Sequence, residues 1–168
     1  MQLPPVPLRM RSRPLDERGY PIPFSQFIDR NGRPDFRILD DDRVVKCLQG
    51  RRCAMCGEQM GRHIYFIGGP LCLANRMFHD PPMHRECAIF ALQACVHLAR
   101  GKGRYSERAY PKGAAIVEGA QASEHKAEWF ALMHGETYTW GRQPNGMIVI
   151  RASEWLDTER WRDGAPIK

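Results

Sequence analysis

The sequence predicts an α+β domain with an N-terminal β-hairpin, one central buried helix and a C-terminal antiparallel β-meander. Three observations carry the prediction. Residues 84–100 are apolar on every side rather than along one stripe, which marks a helix enclosed by other elements. Asn31-Gly32 separates two β-prone runs, a combination suited to a tight hairpin turn. Cys53 and Cys56 are followed well along the chain by His84 and Cys87, so two close pairs of metal-ligating side chains flank a strand-like stretch.

Taken in order, residues 1–18 form a proline- and arginine-rich extended arm with almost no apolar periodicity. Residues 19–28 and 34–40 make the hairpin, and Pro21 and Pro23 place its first strand on an edge. In "DDDRVVKCLQG" the acidic residues suit a first helical turn, Val44, Val45 and Leu48 share one side, and Gly50 is the stop. Residues 63–69 are β-branched and aromatic and read as a strand, whereas residues 70–82 have no clear period and read as a loop. Pro81-Pro82 ends that loop, and the central helix runs from His84 to Arg100 with Gly101 beyond it. Residues 19–100 thus hold the hairpin and the paired ligands, and residues 101–126 read as a basic linker. The last unit, residues 127–168, is expected to pack on the same core. It reads as strands at 128–133, 137–141 and 147–151, a turn at 144–146, and a short closing helix ending at Gly164.

The composition narrows the class. Apolar residues make up 43% of the 168, enough for a real core in one domain. No run approaches the roughly 20 apolar residues that span a bilayer, and the N-terminus lacks the apolar stretch of a secretory signal. A cytoplasmic protein with no membrane partner is expected, in which six cysteines are thiols rather than a disulfide framework. The net charge of +6 is compatible with phosphate contacts.

A CxxC turn aims two sulfurs at one centre, and Gly57 permits the tight return after Cys53 and Cys56. The completing pair is His84 and Cys87, three residues apart in the first turn of the helix, where free amides favour a thiolate. These four ligands suit one zinc ion, and with no position left open the ion is structural rather than catalytic. His79 or Cys72 could replace His84, and Cys47 lies six residues before Cys53. Cys95 and His97 read as core residues of the helix. The order of a CxxC knuckle, a strand-containing stretch and an HxxC helix resembles the treble-clef class of zinc fingers over residues 51–100.

A wider resemblance rests on "RGYPIPF", "GRPDFRILD", "RRCAMCGEQMGRH", "GPLCLANRMFHDPPMHRECAIFALQAC" and "SEWLDTERWRDGAP". Together these are similar to a family of small, uncharacterised zinc-binding proteins of bacteriophages, prophages and actinobacterial or pseudomonad genomes. The likeness runs over most of residues 19–166, and it implies a bacterial host cell and a zinc-binding core without any activity. Two stretches depart from it: "ACVHLA" lacks the family's usual proline, and the linker "GKGRYSERAYPKGAAIVEGAQASEH" has no counterpart.

The functional expectation is therefore a non-enzymatic interaction module that binds nucleic acid or a host or phage protein, with no small-molecule substrate. Arg100, Lys102, Arg104, Arg108 and Lys112 are candidate phosphate contacts, and Tyr105 and Tyr110 could stack on bases. The alternative is an HNH-like metal-dependent nuclease using His63, His79 and Asp80, although no Asp-His or His-His pair stands on the strand after the knuckle. A dithiol redox role for Cys53 and Cys56 would leave the second ligand pair idle. Trp129, Trp140, Trp155 and Trp161 could form a binding face or cover the core.

Overall fold

The computed structural model describes residues 3–99 and 127–168. The N-terminal arm is laid over the body of the protein. Leu8–Met10 form one 3-10 turn that buries Met10 completely. Leu15 then bridges to Pro21, and the Ile22 amide donates to the Pro14 carbonyl at 2.8 Å.

Strands β1 (Gln26–Ile28) and β2 (Pro34–Leu39) form the expected hairpin as a separate two-stranded sheet. Asp29 accepts from the Asn31 and Arg33 amides at 2.8 Å each, and Gly32 takes φ +77° to close the turn. The first strand is shorter than predicted because Phe24 and Ser25 send their amides elsewhere. Both donate to the cysteine segment, to the carbonyls of Met55 and Ala54 at 2.9 Å.

Helix α1 (Asp41–Gln49) is capped by Asp40, whose side chain accepts from the Arg43 amide, and it buries Val44, Cys47 and Leu48. Gly50 is the C-cap, yet the left-handed residue is Arg51, at φ +49°. That conformation costs a non-glycine residue about 1–2 kcal/mol. The Arg51 guanidinium offsets the cost by donating to the carbonyls of Gly61, Arg62 and Glu136.

Strand β3 (Ile64–Gly68) matches its expectation, but residues 70–82 are more regular than a loop. They contain helix α2 (Pro70–Asn75) and strand β4 (Met77–Phe78). Pro70 at the first helical position is preorganised for α2, and left-handed Arg76 ends it. The central helix is interrupted: α3 (Arg85–Ala94) stops at Cys95, which is extended, and α4 (Val96–Ala99) follows. The turn at Gly164 lies against this break, its Cβ position 3.6 Å from the Gln93 Cα and 3.8 Å from the Leu92 carbonyl oxygen. Cys95 is only half-buried and Val96 and His97 are exposed, so the core roles expected of Cys95 and His97 are not met, although Leu98 still packs against the core.

The C-terminal unit supplies β5 (Phe130–Gly135), β6 (Tyr138–Arg142), β7 (Ile148–Ala152), β8 (Asp157–Arg162) and β9 (Ala165–Ile167). These strands do not form one meander. They divide between an antiparallel sheet ordered β3-β5-β8-β9 and a second ordered β4-β7-β6. The predicted closing helix is the β8–β9 hairpin instead, turning through Asp163 at φ +50° and Gly164 at φ +77°. Both central turn residues have positive φ, which Asp-Gly tolerates and a helical end does not require.

The four-stranded sheet is the middle layer. One face carries Phe66, which meets Phe78 of β4 and Trp155 at ring-centroid distances of 4.6 and 6.0 Å. The opposite face receives α3, where Arg85 pairs with Glu159 of β8 at 2.6 Å. Ala131, Leu132 and Met133 of β5 are accordingly buried from both sides. No helix among the described residues is long and apolar enough to cross a membrane.

Candidate metal centre

The cysteine pair sits in a knuckle formed by local hydrogen bonds. The Cys53 amide donates to the Glu58 carbonyl and the Gly57 amide to the Cys53 carbonyl, both at 2.9 Å, while Arg52 bridges to Gln59. Gly57 is required twice: its φ is +80°, and a Cβ there would stand 2.6 Å from the Phe24 ring.

The second pair arrives on α3. The segment before it is anchored to β3, because Tyr65 and Met83 exchange amide-to-carbonyl bonds of 2.9 and 2.8 Å. His84 is the N-cap, just outside the helix, and Cys87 lies within the first turn. The Ala54 amide donates to the Pro82 carbonyl at 3.1 Å, which draws the double proline onto the knuckle.

As a result the ligand atoms of Cys53, Cys56, His84 and Cys87 all lie within 4.8 Å of one another and could hold one metal ion. The three sulfurs are buried, and His84 is partly exposed. Cys56 Sγ and His84 Nδ1 are 3.4 Å apart. A tetrahedral ion with a sulfur at about 2.3 Å and a nitrogen at about 2.0–2.1 Å sets them about 3.6 Å apart, so the spacing fits. His84 Nε2 lies 3.3 Å from the Gln59 carbonyl, which leaves Nδ1 as the inward ligand and fixes the ring by an outer hydrogen bond.

The electrostatics favour a cation. Burial opposes ionisation of the Cys53 thiol, but hydrogen bonds from Cys56 and Cys87 and from the Cys56 and His84 amides outweigh it and hold its pKa low. Cys87 shifts the other way: donation to the Cys53 and Cys56 sulfurs, then burial and their charge, keep its proton on. Without an ion only part of the cluster carries charge. A divalent ion offsets the mutual repulsion and allows the remaining protons to leave.

The arm covers this centre. Arg9 pairs with Glu58 of the knuckle at 2.6 Å and with Glu86 of α3 at 2.8 Å, so one guanidinium ties both ligand segments together. Arg13 donates to the Ile22 carbonyl and lies over the Phe24 ring.

The other candidate ligands are elsewhere. Cys72 stands on α2 against Gly68, His79 contacts the Ile148 carbonyl at 2.8 Å, and Cys47 is buried in α1 with its thiol pushed up to about 12 by burial. His63 and His79 do not meet. His63 Nδ1 lies 2.9 Å from His134 Nε2 instead, a pairing across 71 positions that no local motif could reveal. Arg100, Lys102, Arg104, Tyr105, Arg108, Tyr110 and Lys112 lie outside the described residues. Three tryptophans have packing roles: Trp155 against Phe66 and Phe78, Trp161 buried in β8, and Trp129 beneath Arg160 at 4.9 Å. Trp140 on β6 is the most open, at 36% exposure.

The chain matches no protein-family model, no curated protein and no solved structure.

Proposed function

We propose that this protein is a zinc-stabilised, non-enzymatic interaction module of treble-clef type, acting on nucleic acid in a bacterial host cell. The observation that carries the structural-zinc reading is the ligand set itself. Three thiols and an imidazole suit zinc, and four protein donors complete a tetrahedron without an open position. The knuckle, the β3 segment bridged to Met83, and a helix beginning between His84 and Cys87 follow the order expected of a treble clef.

The nucleic-acid part rests on charge. The chain carries +6, and in the sequence Arg100, Lys102, Arg104, Arg108 and Lys112 fall within one stretch that also contains Tyr105 and Tyr110. Electrophoretic shifts of the zinc-loaded protein with single- and double-stranded DNA and RNA test it. Complexes should form at low salt and weaken steeply as salt rises. No shift at low salt would remove nucleic acid and leave a host or phage protein as the partner.

The nuclease alternative draws on the His63–His134 pair. Plasmid nicking with magnesium or manganese, abolished by His63→Ala, would favour it over the interaction reading.

A further inference from the structure

The His63–His134 pair lies outside the cysteine centre and has its own geometry. His134 is in β5, directly opposite Tyr65 of β3 on one side and Asp157 of β8 on the other. Its ring stacks on Tyr65, with centroids 4.7 Å apart and planes 8° from parallel. His63 precedes β3, is exposed to solvent, and presents Nδ1 to His134 Nε2 at 2.9 Å with the rings inclined at 57°. A side chain just before β3 and one on β5 therefore bring ring nitrogens to one point on the surface.

We propose that His63 and His134 form a second metal site, an open and exchangeable one for a divalent transition ion such as nickel, copper or zinc. Two nitrogens each about 2.0–2.1 Å from one ion lie about 2.9 Å apart at a right angle and about 3.3 Å apart at the tetrahedral angle. The observed separation falls at the lower end of that span; without an ion the two rings share an N–H···N hydrogen bond, which the ion would replace. Imidazole donors select transition ions over magnesium and calcium, which prefer oxygen.

The surroundings suit a cation. Burial and then the facing His63 lower the pKa of His134, so its ring is the more readily a neutral ligand, while Asp157 and Glu136 add negative potential. Arg85 opposes that potential, but it is drawn to Glu159 at 2.6 Å, and the outward-facing Arg62 pairs with Glu136 at 2.7 Å, which leaves Asp157 as the unshared carboxylate beside the pair. No third Cys, His or carboxylate closes into a cluster with the pair among the described residues, so water completes the coordination sphere. The site thus differs from the cysteine centre in ligand class, in exposure and in having open positions.

The proposal is independent of the interaction reading and is tested on the full chain carrying its first metal ion. Nickel is added by calorimetric titration, with zinc content measured on the same sample before and after. The expected result is one nickel bound per chain with zinc content unchanged. His63→Ala and His134→Gln should each weaken nickel binding at least tenfold, and excess magnesium should not compete. Circular dichroism confirms that the variants fold, and exposed His63 is the safer of the two. The proposal is overturned if the wild type takes no nickel, takes it only by releasing zinc, or is matched in affinity by either variant.

Discussion

The cysteine knuckle and the four-stranded sheet belong to one core but are held together differently. The sheet is supported by area: β5 is buried on both faces, and Phe66, Phe78 and Trp155 close one side in tilted and edge-on ring contacts. The knuckle, spanning residues 51–63, has one isolated bridge as its regular structure. Its supports are the buried cysteine cluster, the three carbonyls gathered by Arg51, and the arm that crosses it. A segment with this little ladder structure needs fixed points, and four converging side chains that could hold one metal ion are suited to supply them. Apolar packing thus dominates the sheet, while the knuckle contributes two of the four side chains that could hold a metal ion.

The contrast can be broken most sharply at a ligand. Cys53→Ser or Cys87→Ser should remove about 10 kcal/mol or more of metal-binding free energy, which in such sites is folding free energy. Zinc content and the thermal transition should collapse together, and a variant that loses metal yet melts normally would sink the assignment. In the sheet, Leu132→Ala or Ile64→Ala should cost about 2–5 kcal/mol through lost transfer and cavity terms, with metal stoichiometry intact. Denaturant titration reads that cost.

At the start of the knuckle, Arg51→Ala removes a side chain bonded to three carbonyls and should cost about 1–3 kcal/mol. A fall in the urea midpoint at constant zinc content is the expected result. Arg9→Ala should cost less than about 1 kcal/mol, because both its ion pairs are about half exposed. That small loss should shrink further in high salt.

The smallest effect is a pH dependence of the hairpin. The Arg37 guanidinium holds the Asp35 carboxyl at about 2, below its ordinary value of 3.8. A lowered folded-state pKa contributes stability above the ordinary value, and that contribution is lost as the pH falls through about 2. Asp35→Asn should remove this dependence from an acid titration followed by circular dichroism.

The parts of the molecule governed by local chemistry were legible in the sequence. Asn31-Gly32 identified the hairpin, and the spacings CxxC and HxxC named four side chains that converge. The errors lie where local and tertiary signals compete. "SEWLDTERWRDG" resembles a helix in its charges, yet alternation burying Trp161 and the Asp163-Gly164 turn made strands the better reading. Helix α2 has six residues, too few for a periodic signal, and was visible only through Pro70. The division of the C-terminal strands between two sheets depends on β3 and β4, which are distant in sequence. The His63–His134 contact depends on the same pairing of β3 with β5.

The arm has one further consequence. Arg9 precedes its partners Glu58 and Glu86 by 49 and 77 positions in the chain. The arm's pairings of Pro14 and Leu15 with Ile22 and Pro21 are local, whereas Arg9 has neither of its carboxylate partners until the knuckle and α3 have emerged from the ribosome. Closing a loop of that length is an entropic cost paid only when both partners are in place. During translation the arm is a late clasp, and premature pairing of Arg9 with Glu58 alone would forgo half of its native contacts.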